Sequence, residues 1–306
     1  MSTDVVADSR PDTVPDHGLG LTQRRSRPGE VVFRLSLQFC LFVGFAFLAS
    51  LLAYVTYRGW NRLDSRLWTE MPTGRASRAS QAGVESALYG TLWVIGLTAA
   101  LCLPIGIASA IYLEEYADNQ RWYNRALELN IQNLAGVPSI VFGILGLGLI
   151  ARTLNLGFTV LTASIVLSLL VLPTVIIASR ESLRAVPQSI RQASYALGAT
   201  RWQTTWRQTL PAAVPGMSTG AILALSRAIG EAAPLILLGA VTFIRFNPDS
   251  VLSSYTTLPI QIYNLIKQPQ AEFQELASAA IVLLLVILLL MNSVAVFVRN
   301  RFQKNW

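Results

Sequence analysis

QASYALGATRWQTTWRQTLP, residues 192–211, is a polar island between two long apolar runs. Ser189 followed by Gln192 fits a helix-opening capping box, and Thr200 followed by Gln203 fits a second. Gly198 sits where a residue just past a helix end adopts the left-handed conformation, which glycine takes at no steric cost. Pro211 is read as the end of the second helix. The expected unit is a short helix, a glycine corner and another short helix, held between membrane segments. Tyr195, Leu197, Trp202 and Trp206 give this hairpin apolar surface that water alone should not cover.

Outward from the hairpin, the chain has a membrane composition. Of its 306 residues, 53% are apolar and only 13% are charged. Two soluble domains would carry far more charge. Cys40 and Cys102 both lie inside apolar runs, and His17 is the single histidine, so a His/Cys metal site is not expected. The net charge of +7 could point to nucleic acid. In so apolar a chain it reads better as arginine and lysine retained in cytoplasmic loops, with no nucleic acid partner.

Six spans are expected. Residues 1–30 lack periodicity and read as a disordered cytoplasmic tail. Residues 31–83 hold a first membrane helix at about 35–57 and a polar outer loop. The run is too long, and starts too late, for a secretory signal. Residues 84–298 form the core. Its spans are expected at about 84–113, 131–151, 158–179, 216–245 and 277–298, and the hairpin region is 185–215. Residues 299–306 close the chain in the cytoplasm. With the N-terminus inside, 15 arginines and lysines fall in cytoplasmic segments and 8 in outer ones. That bias places both termini and the hairpin in the cytoplasm.

The fifth span contains SRAIGEAAPLILLGA, residues 226–240. Counted from residue 216, Arg227 and Glu231 lie roughly 16 to 22 Å along the helix, near the bilayer centre. At 100° per residue, Gly216, Gly220, Ala224, Arg227, Glu231, Pro234, Leu238, Thr242 and Arg245 share one stripe. Ile222, Leu225, Ile229, Ile236 and Phe243 take the opposite face. A central charge costs at least ~2.5–3.5 kcal/mol on insertion scales, so two of them imply a use. One use is a buried i,i+4 ion pair that fixes helix register. The other is an oxyanion relay, because the guanidinium fork matches phosphate oxygens. A glutamate carboxylate accepts a hydrogen bond from the P–OH of hydrogen phosphate, which sulfate lacks. Arg180 and Arg184, just past the fourth span, are either exit-side anion contacts or membrane-side anchors.

Two resemblances sharpen this. The triplet Gln192, Ala193, Ser194 with Gly198 and the pair Leu210-Pro211 resembles the EAA loop of ABC-importer membrane subunits. Gln192 stands where glutamate is usual, Ser194 where alanine is, and Gln208 where an apolar residue is. In that family the loop docks on a cytoplasmic ATPase and carries its motion to the membrane; an amphipathic hairpin lying on the membrane surface is the other reading. IYLEEYA at 111–117, NLAGVPSIVFGILGLG at 133–148 and RAIGEAAPL at 227–235 are similar to the A-type membrane subunits of phosphate-specific ABC importers. Gly136, Gly143, Gly146 and Gly148 there permit a close approach of either a helix or a permeating ion.

The resemblance implies an all-α integral membrane protein of the type I ABC-importer permease fold. It implies a multi-pass subunit of the bacterial cytoplasmic (inner) membrane, which moves inorganic phosphate along a path lined by Arg227 and Glu231. The implied partners are a homologous second membrane subunit, a dimer of cytoplasmic ABC ATPases, an extracytoplasmic phosphate-binding protein and membrane lipid. ATP and magnesium would be bound by the ATPase. This chain has no G-x-x-x-x-G-K-[ST] pattern, and no cofactor or catalytic residue is assigned to it. Three rivals remain at this point: a permease of the same class for sulfate or molybdate, a membrane enzyme using Arg227 and Glu231 as acid and base, and a sensory or scaffold subunit.

Overall fold

The computed structural model describes residues 28–118, 120–238 and 244–302. Most of the expected tail, and the positions Thr242 and Phe243, lie outside them. The chain divides into two units at Leu52 and Ala53. The first contains most of helix α1 (Pro28–Gly59), an apolar rod that starts a few residues earlier than its apolar run. Everything below concerns the second unit.

In that unit α2 (Glu85–Ile111) runs on through a π-helical turn at Tyr112–Tyr116. Next come α3 (Trp122–Ala135) and α4 (Ser139–Leu145), the latter continuing as a π-helical stretch, Gly146–Thr153. Then α5 (Val160–Arg184) crosses, followed by α6 (Gln188–Ala196) and α7 (Arg201–Gly230). The short α8 (Ala233–Leu237) precedes α9 (Leu258–Ile266), and α10 (Ala271–Phe302) ends the described chain. Among the described residues five helices are long and apolar enough to cross a membrane, and one bent pair raises the count to six.

α5 is the centre. Its sequence is apolar all round, as a helix surrounded by other helices requires. Val160, Ala163, Val166, Leu167, Val171 and Val175 are all buried. Two of its buried hydroxyls tie it to α2: Ser164 Oγ donates to Val94 O at 3.1 Å and Ser168 Oγ to Thr98 O at 3.3 Å. Its N-terminal amides are met by the loop before α9, Val160 N–H bonding Ser253 O at 3.0 Å and Leu161 N–H bonding Val251 O at 2.8 Å. That covers donors which a helix leaves open at its start.

Four expectations change. The third span is not one straight helix: α3 and the α4 stretch meet at 104° across Gly136–Pro138. Proline has no amide hydrogen and pushes its predecessor out of the helical region, so the chain turns there. The hairpin opens at Pro187, whose fixed φ starts α6, and no side chain caps it, so the Ser189–Gln192 capping box does not form. Pro211 does not end the second limb. The helix widens to π geometry over Thr205–Thr209 just before it and continues to Gly230. A wide turn accommodates the missing donor and ring of a proline that would break a regular helix. Finally, the fifth span stops at Gly230 and does not run to 245.

Close approach at glycine sets the remaining packing. A Cβ on Gly143 would lie 2.7 Å from Pro234 Cα and 2.9 Å from Pro234 O, so α4 and α8 touch backbone to backbone. Gly148, one turn along the same stretch, meets nothing within 4 Å. We therefore expect Gly143→Val to lower the thermal unfolding midpoint of the purified chain, by the equivalent of about 1–3 kcal/mol for overpacking. Gly148→Ala should leave the midpoint unchanged. Equal shifts in the two variants would contradict the contact.

Candidate functional site

Arg227 lies in the last turn of α7, and Glu231 is the first residue after it, in extended conformation. Arg227 Nε meets Glu231 Oε1 at 3.3 Å, with side-chain exposures of 52% and 18%. The pair is single-pronged and half open, not a sealed bidentate bridge. Its depth follows from helix register. Gly216 packs on Ser182 and Gly220 on Ala178, so α5 and α7 run antiparallel. Carried along, that register sets Arg227 level with Val171, near the middle of α5. α7 breaks at this level, and the charged pair sits at the break and not inside a helix continuing to 245. A cation at a helix C-terminus also opposes the partial negative charge there.

The stripe drawn from residue 216 divides in two. Gly216, Gly220 and the fully buried Ala224 form the seam against α5, where small side chains let the backbones approach. Leu223 and Arg227 stand beside that seam and are exposed. A groove of about 610 Å³ follows it, lined by Ala178, Ser182, Gly216, Thr219, Gly220 and Leu223, with Glu181 also in its wall. Gly143 and Gly146 are likewise packing positions, against Pro234 and against Val166 and Leu238.

The hairpin at the other end of α7 is built largely as its sequence reads. Gly198 has φ +80°, and its N–H bonds Tyr195 O at 2.9 Å while Ala199 N–H bonds Ser194 O at 3.2 Å. The Thr200–Gln203 box forms in both directions, at 3.3 Å and 2.9 Å. Gln192 and Ala193 are exposed on α6, Leu197 is 90% exposed at the corner, Leu210 is half-buried and Pro211 exposed. Trp202 and Trp206 stack face to face, 5.4 Å apart. A cleft of about 550 Å³ opens between the limbs, among Ala193, Ser194, Leu197, Gly198, Gln203 and Arg207. Ser194, unusual for its position, has a local reason: its hydroxyl bonds that of Thr204 at 2.8 Å, tying the two limbs.

Arg180 and Arg184 are not free anion contacts. Arg180 lies 3.0 Å from Glu128 and 3.5 Å from Glu114, with a side chain 11% exposed. Arg184 grips Glu114 with two bonds of 3.0 Å. An arriving anion would have to displace carboxylates already in place. Sequence reading also missed Arg191, buried against Glu115 at 2.8 Å. The doublet Glu114-Glu115 at the end of an apolar run was the available signal, since acidic groups at a membrane border need cations.

The limb tie gives a direct test. Ser194→Ala strands the Thr204 hydroxyl, which is fully buried, and should cost about 1–3 kcal/mol in thermal unfolding of the purified chain. Adding Thr204→Val should recover most of that loss. A double variant no better than the single would show that the two hydroxyls are not partners.

Comparison with known proteins accords with this geometry. Residues 102–304 match the family model described as binding-protein-dependent transport system inner membrane component. The chain is 37% identical over 238 residues to the phosphate transport system permease protein PstA 1 of Mycobacterium tuberculosis (strain CDC 1551 / Oshkosh), covering 77% of each protein. It is 31% identical to the PstA protein of Yersinia pestis, covering 89% of this chain and 90% of that one. In fold it is similar to the MetNI methionine ABC transporter in inward-facing conformations, with a TM-score of 0.58 over 71% of this chain and 95% of that one at 18% identity. It also matches a bacterial alginate ABC transporter with a TM-score of 0.60, over 89% and 98% at 16% identity. The expected type I importer permease fold is the one found, and the chain belongs to the family of binding-protein-dependent transport system inner membrane components.

Proposed function

We propose that this chain is the membrane permease subunit of an ATP-driven importer of inorganic phosphate, and that Arg227 and Glu231 receive the anion halfway across. One observation carries the reading: a half-open Arg–Glu pair at a helix break level with the middle of α5. Arg227 holds its carboxylate by one prong only. Exchanging that contact for a phosphate that brings two oxygens costs little and gains a bidentate match. Glu231, released, accepts the P–OH of hydrogen phosphate. Sulfate would leave that carboxylate facing an oxygen with no proton, which penalises the wrong anion. The phosphate permeases among its relatives support the same substrate. A permease for another oxyanion, sulfate or molybdate, is the second reading, because the arginine alone does not choose among them.

In this reading the route from Arg227 toward the hairpin follows the groove beside the α5–α7 seam, which begins one helical turn away at Leu223, its open side closed by a homologous second membrane subunit. The hairpin, with Gln192, Ala193, Ser194, Gly198, Leu210 and Pro211, docks on a cytoplasmic ATPase dimer that binds ATP and magnesium. An extracytoplasmic phosphate-binding protein delivers the substrate. Ser226 bonds Asn292 at 2.5 Å and Arg299 bonds Thr219 at 3.2 Å, so α10 runs antiparallel to α7 and ends on the hairpin side. This supports a cytoplasmic C-terminus in an inner-membrane protein. In this assignment Arg180 braces the hairpin side and does not line the path.

The test is phosphate uptake with the assembled complex. Arg227→Gln should reduce uptake to background while the ATPase still copurifies. Gly198→Asp, which strains the corner and charges the docking face, should lower ATPase recovery or uncouple hydrolysis from uptake. Normal uptake in either variant would overturn its assignment.

A further inference from the structure

At the hairpin side of the bundle, three elements meet on one guanidinium. Arg191, on α6, sends Nη2 to Glu115 Oε1 at 2.8 Å and Nε to the same oxygen at 3.3 Å. Its Nη1 donates to Val186 O at 2.8 Å and Nη2 also donates to Leu183 O at 2.9 Å. Glu115 belongs to the π-helical turn that ends α2, and Leu183 belongs to the last turn of α5. Both side chains are nearly fully buried, at 10% and 5% exposure. The neighbouring Glu114 takes Arg184 in a two-bond grip and lies 3.5 Å from Arg180. Arg201, the first residue of α7, lies over the Tyr116 ring at 5.4 Å.

The arrangement is costly if it serves only cohesion. Removing two charges from water is repaid only when the geometry is good and the remaining donors are satisfied, and apolar side chains of similar volume often hold a core equally well. What an ion pair adds is direction: each charge accepts few positions for its partner, so the parts it joins move together.

We propose that the Arg191–Glu115 pair is the coupling clamp between the ATPase-docking hairpin and the membrane bundle. Through it the first limb of the hairpin, the end of α2 and the end of α5 move as one body. The second limb needs no clamp, because α7 is covalently continuous from Arg201 to the break at Gly230. A push on the hairpin then reaches Arg227 along α7, while the clamp holds α2 and α5 to the other limb. Arg191 and Glu115 are positioning residues and touch no substrate. The inference rests on the chain working with a docking ATPase and not on phosphate being the cargo.

The experiment uses the complete complex, both membrane subunits, the ATPase dimer and the binding protein, reconstituted in lipid vesicles. Three variants are compared with the parent: Glu115→Gln, Arg191→Leu, and the apolar double variant Glu115→Leu/Arg191→Leu. Readouts are subunit recovery, basal ATP hydrolysis, the stimulation of hydrolysis by phosphate-loaded binding protein, and phosphate imported per ATP hydrolysed. The double variant removes both charges together, so it should assemble as well as the parent even where a single variant misfolds. It should keep basal hydrolysis yet lose about tenfold in stimulation and in phosphate per ATP, the scale of a typical coupling free energy. An assembled double variant with parental stimulation and stoichiometry would overturn the clamp and reduce the pair to packing. Loss of basal hydrolysis in proportion to lost assembly would overturn it as well. Should the parent show binding-protein-stimulated hydrolysis without phosphate import, the substrate assignment fails, and the clamp is judged on stimulation alone.

Discussion

A helix that ends inside a helical bundle leaves carbonyl groups that need other partners, and the elements around Gly230 are arranged about such an end. α7 stops at Gly230, and Glu231 turns away in extended conformation, its N–H returning to Ala228 O at 3.3 Å. α8 then folds across α4, an approach that only a glycine at 143 allows. Irregular backbone at this depth is tolerated where protein surrounds it or where it lines a polar cavity. Here the break places one cation and one carboxylate in a half-open pair. Broken helices at mid-membrane recur where polar cargo must be held without a full hydration shell.

The same helix links that break to the hairpin. From Arg201 to Arg227 it spans ~39 Å at 1.5 Å per residue. Its π-helical turn at Thr205–Thr209 absorbs Pro211 and preserves continuity. The hairpin is tied internally by Ser194 and Thr204, and externally by Arg191 to Glu115 at the end of α2. Charge at this border therefore braces the structure, whereas charge at the break stays half open. Arg191 and Arg227 mark the two extremes. Arg191 makes four bonds and is nearly sealed, while Arg227 makes one contact and is half exposed.

Much of this was legible in the sequence because the signals were local. The apolar runs at about 35–57, 84–113, 158–179 and 277–298 gave four of the long helices, Gly198 gave the corner, and Thr200 with Gln203 gave the cap that forms. The i,i+4 contact of Arg227 with Glu231 also followed from sequence, although the helix assumed for the two residues was wrong at both ends. What was not legible depended on neighbours. Pro211 reads as a stop until a π-helical turn is allowed for. Residues 231–238 keep an apolar, helix-like pattern although the chain leaves α7 at Glu231 and restarts as α8, packed on α4 at Gly143. The sequence left Arg180 and Arg184 as anion contacts or anchors, because their partners Glu114 and Glu128 lie more than fifty residues away along the chain. Ser194 looked like a departure from its family's pattern and proved to be half of a hydroxyl pair.

The central claim is that the pair at the α7 break selects phosphate. Its most direct test is labelled phosphate uptake into cells lacking their own high-affinity system, supplied with this chain and its partner subunits, with excess sulfate or molybdate as competitor. The account predicts uptake that requires this chain and is insensitive to both competitors. Absent phosphate uptake, with import of sulfate or molybdate in its place, would leave the permease architecture standing and contradict the assignment of Arg227 and Glu231 to phosphate.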